Sequence, residues 1–139
     1  MIKLIVGHKG LGKTKTLIEM ANSAVESSKG NVVCIEKGVD LTYNLNHDAR
    51  LIDIDEYAVE NFDGYYGFIS GLLAGNYDIT HIFCDGVFKV CGQDVAGLEK
   101  LLAKLSKLGC AESVEIVMLV SCEPEELSDN AKGLIINKQ

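Results

Sequence analysis

Gly7-His8-Lys9-Gly10-Leu11-Gly12-Lys13-Thr14 is the stretch that decides how this chain is read. It fits the pattern G-x-x-x-x-G-K-[ST], and the spacing has a physical reason. Glycines let a loop wrap closely, with its backbone N–H groups turned inward as a nest for an anion. A helix that begins at the loop adds its own free N–H groups and the positive end of its dipole to the same spot, which suits phosphate. Lys13 can reach the outer phosphates of such a ligand, and the Thr14 hydroxyl can ligate Mg²⁺.

The flanks agree with that reading. Ile2-Lys3-Leu4-Ile5-Val6 is short, largely apolar and β-branched, as a buried strand would be. After the loop, Leu17, Ile18, Met20, Ala21, Ala24 and Val25 fall on one helical face. Ser27-Ser28-Lys29-Gly30 reads as the helix end, with Gly30 able to take the left-handed cap conformation.

Strand, glycine loop with lysine, and helix together form a Walker A element. On these residues the chain resembles a P-loop NTPase, specifically over residues 2–30 and by topology over the rest. The resemblance implies a three-layer αβα fold with a mostly parallel sheet and a RecA-like core. It implies ATP and Mg²⁺ as ligands. Gly7, His8, Lys9, Gly10, Leu11, Gly12, Lys13, Thr14 and Lys15 would then surround the phosphates, with Thr14 on the metal.

The 139 residues suggest one domain over residues 1–139, with room for one layered core. The net charge is −7 and there is no Lys/Arg stripe, so direct nucleic-acid binding and attachment to anionic membranes are not expected. No apolar run reaches membrane-spanning length. The N-terminus enters a strand at once, so no signal peptide is expected. Cys34, Cys84, Cys91, Cys110 and Cys122 form no C-x-x-C pair, and the three histidines have no metal-finger spacing. Buried, reduced thiols in a cytoplasmic protein is the expectation.

Further along, residues 31–36 read as a buried strand ending in Glu36, and residues 41–49 have room for one helical turn. Residues 50–56 alternate apolar and acidic positions, as a half-exposed edge strand does. A helix is expected over residues 63–75 with Asp63 as N-cap, although Gly64, Gly67 and Gly71 each cost about 1 kcal/mol against Ala. Those glycines mark either close packing on the sheet or mobility. Residues 80–85 form an apolar strand ending in Asp85. An amphipathic helix runs from Val95 to Leu108 and stops at Gly109. Residues 114–121 make a core strand ending in Ser121, Pro124 opens a short helix, and residues 133–137 close the chain as a strand. This alternation predicts a parallel sheet with helices on both faces. Right-handed crossovers would bring Glu36, Asp85 and Ser121 to the strand ends near the loop.

Each of these three has two readings. Asp85 resembles the Walker B aspartate that holds Mg²⁺ opposite Thr14, or it caps the following turn. Gly86 stands where many P-loop ATPases carry a catalytic glutamate. Glu36 matches the position of the base in RecA-like members, with Glu56 in reserve; otherwise it is a solvated strand-end carboxylate. Ser121 resembles a γ-phosphate sensor, or it simply turns the chain. Lys9 lies one place later than the signature lysine of the MinD-like group, where His8 stands, so that subgroup is not supported.

Arg50 is the only arginine, which argues against a nucleoside monophosphate kinase. No N-K-x-D motif supports a GTPase. A secretion or twitching-motility ATPase would be much larger. Slow ATP hydrolysis is thus the leading expectation, with fast turnover needing a protein partner or self-association. The alternative is a nucleotide-dependent binding module acting on a protein partner.

Overall fold

The structure is a computed structural model that describes residues 1–8, 10–38 and 44–137. Five parallel strands form one sheet: β1 (Ile2–Val6), β2 (Asn31–Glu36), β3 (Arg50–Asp53), β4 (Ile79–Cys84) and β5 (Glu115–Val120). Their order across the sheet is β1-β5-β4-β2-β3. The helices are α1 (Lys13–Ser27), α2 (Phe62–Gly75), α3 (Val87–Cys91), α4 (Val95–Ser106) and α5 (Asp129–Lys132). They cover both faces, giving the expected three-layer α/β/α sandwich.

The two faces follow from the two-residue period of the strands. Ile5, Val32, Cys34, Phe83, Val117 and Leu119 pack with Leu17, Ala21 and Ala24 of α1. The alternate residues Leu4, Val33, Ile35, Ile82, Cys84 and Met118 pack against α2, α3, α4 and α5. Buried on both faces, these strands read as near-continuous apolar runs, which is why they stand out in the sequence.

Several local expectations change. Asn61, not Asp63, caps α2: its side chain accepts from Gly64 N at 2.7 Å. Gly67 and Gly71 have open space where a Cβ would stand, so they do not mark close packing on the sheet. Gly30 is glycine for room and not for a left-handed cap, since a Cβ there would collide with Asp78 O. Residues 54–57 leave the edge strand for a 3-10 turn, whose start is capped by the Asp53 carboxylate. Helix α4 ends at Ser106, ahead of Gly109. Pro124–Glu126 is a 3-10 turn under a capping box from Glu123, and α5 follows it unforeseen. The turn anticipated within residues 41–49 lies partly outside the described residues; residues 44–49 carry turns and bury Leu45 and Ala49 against α1.

The closing strand shrinks to a single parallel bridge between Leu4 and Ile135. Beyond it, the Asn137 side chain does the work of a strand residue. Its Oδ1 accepts from Val6 N at 2.9 Å and its Nδ2 donates to Val6 O at 2.7 Å. The last residue of β1 before the loop is thereby fixed on its outer edge.

Candidate functional site

The loop connects β1 to α1 with glycines in conformations that other residues rarely adopt: Gly10 has φ 93° and Gly12 φ 85°. No atom comes within 4 Å of a Cβ built at either position, so the demand for glycine is one of backbone geometry. Gly12 is the N-cap of α1, and it offers no side chain to the free N–H groups. Nor does the first turn of α1 hold an acidic residue. The positive end of the helix thus has neither a side-chain cap nor an acidic residue in its own first turn.

Lys13 is buried, with 9% of its surface exposed. Its Nζ donates to Gly7 O at 2.9 Å and to His8 O at 2.8 Å, folding the ammonium across the loop. Burial lowers its pKa from the ordinary lysine value; the Asp85 carboxylate is the largest opposing influence, and the Lys89 charge adds to the lowering. The Thr14 hydroxyl donates to Asp85 Oδ2 at 3.3 Å, joining residues 71 positions apart. Burial raises the pKa of Asp85 above its usual 3.8, opposed first by Lys89, then by the Thr14 bond and by Lys13.

The strand register places the other candidates. Asp85 N donates to Ile35 O at 2.9 Å, carrying the β4–β2 ladder one residue past the end of β4. Ile35 and Cys84 are paired and face the α2 layer, so Glu36 and Asp85, each one residue later, face the α1 side together. Glu36 is only 6% exposed, which removes the reading of a solvated carboxylate. It also lies in register with Asp53 on β3. Ser121 follows β5 on the same side of the sheet and is exposed; its carbonyl accepts from Gln93 Nε2 at 3.1 Å. Glu56 is exposed on the 3-10 turn that follows the edge strand.

Around the loop, His8, Leu11, Thr14 and Lys15 are exposed, and Lys9 lies outside the described residues. A hollow of about 540 Å³ borders Thr14, lined by Lys15, Ile18, Glu19 and Asn44 as well. A cavity of about 450 Å³ lies at the opposite end of the sheet, where Met1, Ile2, Ala111 and Glu112 meet α4 and α5.

Among the described residues, no group of three or more His, Cys, Asp and Glu side chains is placed to hold a metal ion. Thr14 and Asp85 do bring two hard oxygens together. Mg²⁺ is commonly held by such a pair when phosphate oxygens and water complete the shell. All five cysteines are free. Burial pushes Cys34 and Cys84 up to about 12 and Cys91 and Cys122 to about 11, so these four are poor nucleophiles at neutral pH.

Two charged residues near the loop are not evident from the sequence. Lys89 on α3 acts electrostatically on both Asp85 and Lys13, and Glu123 acts on Lys13. The sequence signal for α3 is the apolar trio Val87, Phe88 and Val90, too short to specify a helix.

No protein-family model matches the chain, and no curated protein matches it. The likeness that remains is to a generic Rossmannoid or P-loop-like architecture: a parallel α/β sheet with a lysine-ended loop after the first strand. No helix among the described residues is long and apolar enough to cross a membrane.

Proposed function

We propose that the chain is a small P-loop protein that binds ATP with Mg²⁺ on residues 7–14 and hydrolyses it slowly. The observation that carries this reading is the 3.3 Å link from Thr14 Oγ1 to Asp85 Oδ2, beside the buried Lys13 ammonium. A helix start without its own cap, a lysine and two oxygen donors form a group that serves a phosphate–metal ligand. Lys13 would leave the Gly7 and His8 carbonyls for the outer phosphates. Thr14 and Asp85 would hold Mg²⁺, which supplies charge neutralisation when bound. The hollow beside Thr14 and Lys15 is the space next to the phosphate end for the nucleoside.

Hydrolysis requires a group that orients water. Gly86 excludes the residue after Asp85, and Glu36, buried on the α1 side one strand away, takes the role. A second reading, a nucleotide-dependent binding module with little turnover, is favoured by that same burial if water does not reach Glu36.

Calorimetric titration with ATP, GTP and ADP, with and without Mg²⁺, tests the site. Preferential, Mg²⁺-dependent binding of a triphosphate is expected, and no binding of any nucleotide would refute it. Glu36→Gln separates the two readings. We expect at least a tenfold fall in turnover with unchanged ATP affinity; unchanged turnover would remove Glu36 as the base.

A further inference from the structure

A phosphoryl-transfer site must place positive charge where negative charge gathers in the transition state. Among the described residues, Lys13 and Lys15 belong to the loop and the start of α1, and the cations beyond them stand in different places. Arg50, the only arginine, stands at the amino end of β3. That is three residues before Asp53, so about 10 Å below the edge of the sheet where the loop lies. It is also two strands away from β4. Lys37 is paired with Asp55 at 3.7 Å. Lys13 serves the loop itself.

Lys89 is placed differently. It sits on α3, between Gly86 at φ 74° and Gly92 at φ 98°. Its backbone N–H donates to Gly86 O at 2.9 Å. Its aliphatic stem folds back over Gly86, with Cδ 3.3 Å, Cβ 3.7 Å and Cγ 3.8 Å from where a Cβ on that glycine would be. The stem therefore lies against the place that a side chain at position 86, next to Asp85, would start from. Lys89 is exposed, and none of the ion pairs between described residues includes it. Its charge is the strongest acting on Asp85 and also reaches Lys13. Two lysines thus gather around one partly buried carboxylate. Glu123 offsets part of the Lys13 charge as well, and a polyphosphate would give the exposed Lys89 ammonium a further anionic partner.

We propose that Lys89 is a catalytic residue of this chain, which contacts the terminal phosphate of the bound nucleotide and stabilises the charge that develops there. The inference rests on the nucleotide-binding reading and adds to it a cation supplied from within the chain, so turnover does not need a partner's arginine. Glycines of positive φ bound α3 on both sides, Gly86 in the left-handed conformation and Gly92 outside it.

The test compares wild type, Lys89→Ala and Lys89→Arg for calorimetric affinity toward ATP–Mg²⁺ and ADP–Mg²⁺, and for single-turnover hydrolysis. Lys89 is exposed, so all three should melt alike. For Lys89→Ala we expect ATP affinity to fall about tenfold, ADP affinity to stay within about twofold, and turnover to fall about 100-fold. Lys89→Arg should recover most of both losses. Equal losses for ATP and ADP, or no loss of either affinity or turnover, would overturn the role while leaving the nucleotide site standing. A wild type that binds ATP without turnover is still judged by the affinities. A wild type that binds neither nucleotide would remove the site and this inference together.

Discussion

Replacing Lys13 by Met separates what the residue does for the fold from what it does for a ligand. Its ammonium donates to Gly7 O at 2.9 Å and His8 O at 2.8 Å in a buried setting. Losing the donor leaves the buried Gly7 carbonyl unsatisfied, which costs about 1–3 kcal/mol. Against that stands the direction of the Lys13 pKa. It is lowered, chiefly by burial, so the empty fold disfavours the charged form more than water does. The sign follows by linkage. A lysine whose folded pKa lies below its unfolded value opposes folding while it is charged, and the penalty is relieved as pH rises through the folded pKa toward 10.5. Removing the charge therefore returns part of the loss, and the methionine stem keeps the packing.

We expect Lys13→Met to lie within about 1 kcal/mol of wild type, a shift of about 3–5 °C in melting temperature without nucleotide. Binding should behave otherwise. A charge-assisted contact to phosphate is worth about 2–4 kcal/mol, so ATP affinity should fall about 30- to 1,000-fold. Differential scanning calorimetry and titration on the same preparations measure both quantities. A loss of stability of about 3 kcal/mol or more, with nucleotide affinity unchanged, would refute the reasoning, because Lys13 would then be a strut for the loop.

Two further outcomes follow from particular atoms. The raised pKa of Asp85 means that the carboxylate needed for a cation is lost on acidification at a higher pH than for a free aspartate at 3.8; Mg²⁺-dependent affinity should decline on that slope in wild type and be weak and flat for Asp85→Asn. In the ligand-free protein the same shift makes ionisation of Asp85 unfavourable to folding, so stability falls as pH rises from 3.8 through the folded value, and Asp85→Asn should remove that component of a melting profile. The hydroxyl of Tyr65 is buried without a hydrogen-bond partner, with the Cys84 thiol among its neighbours, so Tyr65→Phe should be neutral or stabilising by up to about 1 kcal/mol in urea unfolding; a large loss would reveal a bond that the hydroxyl needs.

The fold was legible because its parts announce themselves in short stretches. Strands buried on both faces leave apolar runs, and Gly12-Lys13-Thr14 between such a strand and an amphipathic helix admits few other geometries. Asp85 could be placed because a parallel sheet collects its strand ends at one edge, and the Thr14 contact is what that topology allows. The rest is decided by contacts that carry no local signature. Whether Asn61 or Asp63 caps α2 turns on which side chain meets Gly64 N. The closing strand needs more residues than residues 133–137 can pair, so Asn137 completes β1 by side chain instead. Lys89 was invisible because α3 has only five residues and its glycines read as loop. Yet those glycines let the Lys89 stem lie over Gly86 beside Asp85. The absent glutamate after Asp85, which from the sequence counts against catalysis, leaves at position 86 a glycine over which the Lys89 stem lies.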